Sequence, residues 1–476
     1  MKNLIILLSI FLTLFSASAQ QIQYASKLIK FSSDLGGKQN SIKRILGKPD
    51  CFPQGGPSPN GWTPKNALDG REVIEVGFDT PQTVKQVAIF ENQNAGNVYK
   101  IAVDNGSGKY ETVWTKQIDY QKPYYRTTLI TDRSYYFKKK RRKIEEAPEV
   151  EVNAGIENVI LDQAVDHVVA VKIFFTFAQI AGQKQVDAIA ISDSDAPIEA
   201  KINTNPAFEN LPNPTKIDFG DPEYTNPVLS ADGYRLYLSE DNNEQTKIVY
   251  SNKNAQGKWE KPKTEDAILN SNPNFNFIEY FGNNFILKGG AITDSNLNET
   301  GFEVLENQNG KYISKGQIKI PAYSNFDTTG DATITADKKT LILAIESDQT
   351  QGSTDLYFAN QKPDGSYGML QNFGKSVNTP AEEATPFLLS DQKTLLFASN
   401  GYSSFGNFDI YVTQRLDDTW KKWSEPINLG SKINSTGFDG SPFYDEQNEI
   451  LYYNQTTNGK SNVYFIKISK SDLIKN

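Results

Sequence analysis

The stretch Pro386-Phe-Leu-Leu-Ser390-Asp391-Gln-Lys-Thr-Leu395-Leu-Phe397, followed after a Gly/Ser-rich loop by Phe408-Asp409-Ile410-Tyr411, decides the fold. Its first part reads as a strand, an Asp-led turn and a second strand. Its second part reads as a third strand. Proline at the head of the first strand suits an edge or an entry, because it has no N–H for a ladder. Aspartate suits the turn, because its carboxylate accepts from backbone N–H groups two residues on. The frame returns at Pro227 (Asp232, Leu236), Ala332 (Asp337, Leu341) and Pro442 (Gln447, Leu451). A degenerate copy begins at Asn276, with Gly282 in the turn and Phe285 in the Leu slot. The five starts lie 49, 56, 54 and 56 residues apart. A period near 50 built from short strands predicts a β-propeller.

Each copy has a third strand of its own: Lys247-Ile-Val-Tyr250, Phe302-Glu-Val-Leu305, Asp355-Leu-Tyr-Phe358, Asp409-Ile-Tyr-Val412 and Asn462-Val-Tyr-Phe465. Fourth strands are expected at 267–270, 317–320, 371–374 and 426–430. The last copy has none after it, and a spare one, Lys216-Ile-Asp-Phe-Gly220, stands before the first. That upstream strand is therefore expected to complete the final blade, which removes two exposed sheet edges. Five blades are expected, or six if the linker holds another.

The chain has 476 residues with a net charge of −8, one cysteine, Cys51, and one histidine, His167. Its length allows two domains. Aromatics at 12%, with 23 tyrosines, favour an all-β core. The charge supplies no global attraction for nucleic acid or anionic lipid. One cysteine excludes an intramolecular disulfide framework, and one histidine argues against most zinc sites. His167 sits in an apparent strand and reads as a strand-end or partly exposed residue. Residues 1–19 read as a secretory leader, with Lys2, an apolar run over 4–15 and Ala17-Ser18-Ala19 before the cut. The new first residue would be Gln20, not cysteine, so no lipoprotein anchor is expected. No stretch is long and apolar enough to span a bilayer.

Residues 20–195 do not follow the 50-residue period. Val73-Ile-Glu-Val-Gly-Phe78 alternates, and Val84-Lys-Gln-Val87-Ala-Ile89, Val98-Tyr-Lys-Ile101-Ala-Val103, 168–175 and Val186-Asp-Ala-Ile189-Ala-Ile191 add strands. Short strands with turn signals between them predict a β-sandwich. The series Phe31-Ser-Ser33, Ile45-Leu-Gly47-Lys48-Pro49-Asp50, Trp62, Glu72-Val-Ile-Glu-Val-Gly-Phe78, Val87-Ala-Ile-Phe-Glu-Asn92 and Gly96 resembles the discoidin-like, galactose-binding-like jelly rolls of bacterial envelope proteins. The resemblance covers about a third of the chain. It implies binding of glycans, lipids or proteins through loops at one end, with Trp62 and Phe52 as candidate ligand contacts. Trp62 plugging the sandwich edge is an equal alternative.

Residues 116–152 read as an insertion. Tyr120, Tyr124, Tyr125, Tyr135, Tyr136 and Phe137 lead into Lys138, Lys139, Lys140, Arg141, Arg142 and Lys143, and Glu145, Glu146 and Glu149 follow. With acids next door the basic run reads first as a solvated hairpin; a partner contact is the next reading, and anionic lipid or polysaccharide the third. Residues 196–212, rich in proline and asparagine, read as an unpacked linker.

The repeats over 213–476 resemble the WD-like repeats of TolB-type and Bacteroidetes envelope propellers. Ser403-Ser-Phe-Gly406-Asn-Phe-Asp409-Ile-Tyr411 carries that resemblance best, with Trp420, Trp423 and Pro426 in the linking part. Asp232, Asp337 and Asp391 recur once per blade, which suits turn-capping and not a single catalytic constellation. Asp221, Asp327, Asp331, Glu382, Glu383 and Asp439 precede the innermost strands, so some of them are expected to face the top of the channel. They do not assemble into an acid/base pair from sequence alone. No G-x-S-x-G elbow, P-loop, H-E-x-x-H or EF-hand loop occurs.

The expectation is an all-β protein: an N-terminal jelly-roll sandwich over 20–195 and a five-bladed propeller over 213–476. No catalytic residue, metal or cofactor is expected. The expected role is a non-enzymatic, exported scaffold, periplasmic and associated with the outer membrane or on the cell surface. Its partners would be envelope or outer-membrane proteins, with no nucleic acid. The resemblance implies a part in type IX secretion or gliding machinery. A carbohydrate-binding protein of polysaccharide capture and a propeller glycoside hydrolase remain as alternatives.

Overall fold

The computed structural model describes residues 20–118, 153–220, 223–241, 245–294, 299–327 and 330–474. The leader at 1–19, most of the 116–152 insertion with its basic run, and Asp221 lie outside the described residues.

Five four-stranded antiparallel sheets follow one another from residue 215 onward. The innermost strand of each is Tyr224–Leu229, Phe277–Phe281, Asp331–Ile334, Glu383–Leu388 or Phe438–Asp445. Each of these lies against its neighbour on both sides, and the last touches the first, so the ring is closed. Five hydrophobic clusters fill the five junctions. Leu388 and Leu395 meet Ile342 and Leu356 at one of them; Leu229, Leu236 and Val249 meet Tyr452 and Val463 where the last blade joins the first. Continuous apolar runs such as Leu341-Ile-Leu-Ala-Ile345 and Leu395-Leu-Phe-Ala398 account for this, since a blade buries both faces against its neighbours.

The last blade is completed by Thr215–Lys216, which pairs with Tyr464 and Phe465 in the Lys460–Lys467 strand. The Ile217 N–H extends the pairing with a 2.9 Å bond to the Val463 carbonyl. The expected fourth strand of the first blade is displaced. Lys263–Thr264 fills that place, and 267–270 turns back, with Asn270 bonding both the N–H and the C=O of Ile248.

The second blade also departs from the expected frame. Phe281 opposes Ile286, as Leu229 opposes Leu236 in the first blade. Ile286, not Phe285, therefore holds the Leu slot. The reason is a shorter turn: Gly282 N–H bonds Phe285 C=O, whereas Ser230 N–H bonds Arg235 C=O. Two fewer turn residues put Glu279 where the other blades carry Pro227, Ala332, Pro386 and Pro442.

The N-terminal region is built on two long strands, Arg71–Glu91 and Gly155–Thr176, paired antiparallel and bent at bulges near Gly77 and Val84. Beyond the bend, one half of the pair adds Lys27–Phe31, Val98–Asp104 and Glu111–Thr115. The other half adds Ala188–Ser192 and Ile22–Tyr24. Ile74, Val76, Ile101 and Ile173 from the first half share one core with Val87, Ile89, Ile189 and Ile191 from the second. His167 stands exposed at the bend with φ of 56°.

The expected unpacked linker is tied down on both sides. Ile198 is buried in the N-terminal region. Thr204 bridges Asn428 in parallel on the outer edge of the fourth blade, and Phe208 is buried between the fourth and fifth blades.

Candidate functional site

The innermost strands meet around the central channel, and polar side chains link one blade to the next there. Asn226 Nδ2 donates to Ile278 O at 3.3 Å. Glu279 Oε2 accepts from Ala332 N, and Asp331 Oδ2 from Thr385 N, each at 3.0 Å. Thr385 Oγ1 accepts from Ser441 N at 3.0 Å. Bulges interrupt the innermost pairing in the first, second, fourth and fifth blades. At them Asn226, Thr385 and Ser441 hold φ of 53°, 46° and 48°. A bulge re-aims its side chain, and a β-branched residue such as Thr385 at positive φ is strained.

Two members of this ring carry charge, and they come from neighbouring blades. Glu279 and Asp331 are both half-buried where one innermost strand meets the next. Burial lifts the Glu279 carboxyl well above the usual range, and the charge of Asp331 adds to the lift. Burial also raises Asp331, assisted by the charge of Asp327. Like charges in an enclosed site disfavour each other's ionisation, and Glu279 is the member raised the more strongly. Gly289 makes room for it: a Cβ there would lie 2.3 Å from Glu279 Oε1.

The acids expected near the channel separate into two groups. Glu383 and Asp439 are fully buried and tie loops. Glu383 accepts from Thr379 N, Thr379 Oγ1 and Ser399 Oγ at 2.7–2.9 Å. Asp439 accepts from Ser435 N, Ser435 Oγ and Gln455 Nε2 at 2.6–2.9 Å. Asp327 is instead exposed, with half-buried Glu382 and Glu346 near it. Burial raises Glu382, and the charges of Asp327 and Glu346 raise it further. The turn acids behave as expected: Asp232 Oδ1 accepts from Ser230 Oγ and Tyr234 N at 2.6 and 3.1 Å.

Glu279 is the member that sequence reasoning misses. The signal for it is the Asn283-Asn284 turn, which shortens the hairpin and moves Glu279 into the proline slot.

Neither aromatic candidate of the N-terminal region reaches a ligand. Trp62 has 0% exposure and donates from Nε1 to Ser33 O at 3.3 Å. It packs edge-on against Phe175. Phe52 has 5% exposure and packs on Phe90. Both assignments as ligand contacts are corrected: the indole and the phenyl ring are core, because burying such rings outweighs presenting them. Among the described residues one group has metal-ligand proximity, Asp50, Cys51 and Asp187. There Asp187 already accepts from the backbone N–H groups of Asp50 and Cys51.

The N-terminal region sits on the top face at the third and fourth blades. Asn60 Nδ2 donates to Gly401 O at 2.7 Å, Ser403 Oγ to Pro49 O at 2.8 Å, and Gln39 Nε2 to Pro380 O at 3.2 Å. Lys38 Nζ donates to Thr350 O.

No family model matches the chain, and no curated protein matches it. Solved structures resemble its propeller. An endo-arabinase from Bacteroides thetaiotaomicron aligns at 15% identity and a TM-score of 0.38, over 53% of this chain and 96% of that one. An α-L-arabinofuranosidase from Lactobacillus brevis aligns at 15% and 0.35, over 51% and 90%. TolB from Acinetobacter baumannii aligns at 12% and 0.32, over 52% and 55%. The five-bladed ring itself rests on the strand pairing above. These neighbours correct the expected non-enzymatic scaffold of a secretion or gliding assembly. That expectation took a propeller as a binding platform, whereas these neighbours are glycoside hydrolases and TolB, a likeness of fold alone. A fold of this kind does not by itself select a function.

Proposed function

We propose that this protein is an exported hydrolase of glycosidic bonds that works at the mouth of the propeller channel. The observation that carries the proposal is the Glu279–Asp331 pair: two half-buried carboxyls from adjacent innermost strands, each tied to the next blade's backbone, both raised by burial and Glu279 further by the charge of Asp331. Glycoside cleavage asks for two carboxyls in unlike protonation states. Glu279 gives its proton to the leaving glycosidic oxygen as the bond to the anomeric carbon breaks. Asp331, ionised, faces the positive charge that develops on the sugar ring and takes a proton from the water that adds to it. The backbone bonds from Ala332 and Thr385 hold both carboxyls in place, so no reorganisation is needed when charge develops. The leader-like segment at 1–19 supports export. The galactose-binding-like reading of the N-terminal region belongs to this proposal as well: a sheet folded over one core supports it, although Trp62 and Phe52 take no part in binding.

The test is release of reducing ends from a panel of polysaccharides. Glu279→Gln and Asp331→Asn keep the shape and an acceptor oxygen for the neighbouring N–H. Each should lower kcat by about 10²- to 10⁴-fold with an unchanged melting temperature. A wild-type protein that releases nothing from the panel sinks the proposal.

A further inference from the structure

The channel mouth does not end at the propeller. The 35–40 loop of the N-terminal region crosses the top face at the third blade, held by Lys38 on the Thr350 carbonyl and Gln39 on the Pro380 carbonyl. Between this loop and the blade lies a cleft of about 740 Å³, lined by Leu35, Lys38, Phe326 and Glu346 among others. Phe326 is 60% exposed, yet its backbone is fixed: its N–H bonds Glu346 O at 2.9 Å. Next to it, Asn325 Oδ1 accepts from Asp327 N and Glu346 N. Across the cleft Leu35 is 56% exposed. An aromatic ring on a fixed backbone has few torsions to order when it packs against an apolar face, and a sugar ring offers such a face in its axial C–H groups. The cleft is joined to the carboxyl pair by charge as well as by chain. Asp327 adjoins Phe326, and it acts on both Asp331 and Glu382.

We infer that the 35–40 loop and Phe326 form the two walls of an extended subsite, so that both domains hold one neutral polysaccharide chain whose cleaved bond lies at Glu279 and Asp331. This rests on the hydrolase reading above. The chain is neutral because Asp327, Glu346 and Glu382 repel uronate or sulfate groups, and Lys38 already serves the Thr350 carbonyl. It is a chain and not a single sugar, because the aromatic wall stands outside the carboxyl pair.

The experiment uses the full-length protein and its Phe326→Ala and Leu35→Ala variants. Rates are measured on arabinan, xylan, galactan and mixed-linkage glucan, on polygalacturonate, and on the corresponding nitrophenyl glycosides. Both side chains are exposed, so melting temperatures should stay within a degree of wild type. The expected result is a fall of at least tenfold, for Phe326→Ala, in the ratio of kcat/KM on the preferred neutral polysaccharide to kcat/KM on the nitrophenyl glycoside. For Leu35→Ala a several-fold fall is expected. If that ratio is unmoved in both variants while Glu279→Gln abolishes turnover, the extended subsite is wrong and the hydrolase reading stands. Preference for polygalacturonate overturns the neutral-chain assignment. No turnover of any substrate by wild type removes both readings together.

Discussion

Glu383 and Glu279 both sit on innermost strands of the propeller, and their partners give them different work. Glu383 spends its oxygens on Thr379 and Ser399 in a site closed to solvent. Glu279 gives one oxygen to the next blade's backbone and stays only half-buried. Its position depends on the missing side chain at Gly289. Gly289→Ala should displace the carboxyl and lower kcat at least tenfold, with a smaller change in melting temperature; unchanged kinetics would show that Glu279 does not need that place. Charge tuning gives a second prediction. Asp327 raises Asp331, so Asp327→Asn should move the acid limb of the kcat/KM profile to lower pH. Trp62 behaves as a core residue, and Trp62→Ala should cost about 3–5 kcal/mol in urea unfolding. These identities were only partly legible from sequence. Asp232, Asp337 and Asp391 were readable because a turn is local. Glu279 was not, because its slot depends on a two-residue difference in turn length that only the pairing of Phe281 with Ile286 reveals.

At the scale of the element, the D-[I/L]-Y signature has a mechanical meaning. Asp409 opens the third strand of its blade and accepts from Phe405 N, Gly406 N and Asn428 Nδ2 at 2.6–3.1 Å. Asp355 does the same with Gln351, Gly352 and Asn372. The aspartate thus clamps the preceding glycine loop to the fourth strand. Asp409→Ala would orphan several buried donors, at a cost of about 3 kcal/mol. Ring closure is the other device of this scale. Ile217→Pro removes the donor to Val463 and a mostly buried side chain. It should lower the unfolding free energy by about 3 kcal/mol, and an unmoved urea midpoint would show that the closing strand contributes little.

Across the whole molecule, burial has lifted several carboxyls together. Glu91 stands at about 7, Glu383 at about 8, and Asp187 and Asp409 at about 6, with burial the leading cause in each. A carboxyl raised in the folded state binds its proton more tightly there than in the unfolded chain. Its contribution is complete below the unfolded value, near 4, and is lost as pH rises through the folded value. The urea midpoint should therefore fall between about pH 5 and pH 8. A midpoint that rises over that range would show that these groups are ionised in the fold.

The sequence by itself determined the repeat, its five copies and the upstream strand that completes the last blade, and the pairing of the closed ring excluded a sixth blade. Strand alternation, turn chemistry and a spacing near 50 residues are local properties that one chain displays without its partners. Tertiary structure alone decided which acids face the channel and which are locked into loops. It also decided that Trp62 and Phe52 are core, and that the 35–40 loop overhangs the third blade. The physical reason is that a carboxyl's proton and an aromatic ring's exposure are set by what surrounds them, and those surroundings come from segments hundreds of residues apart.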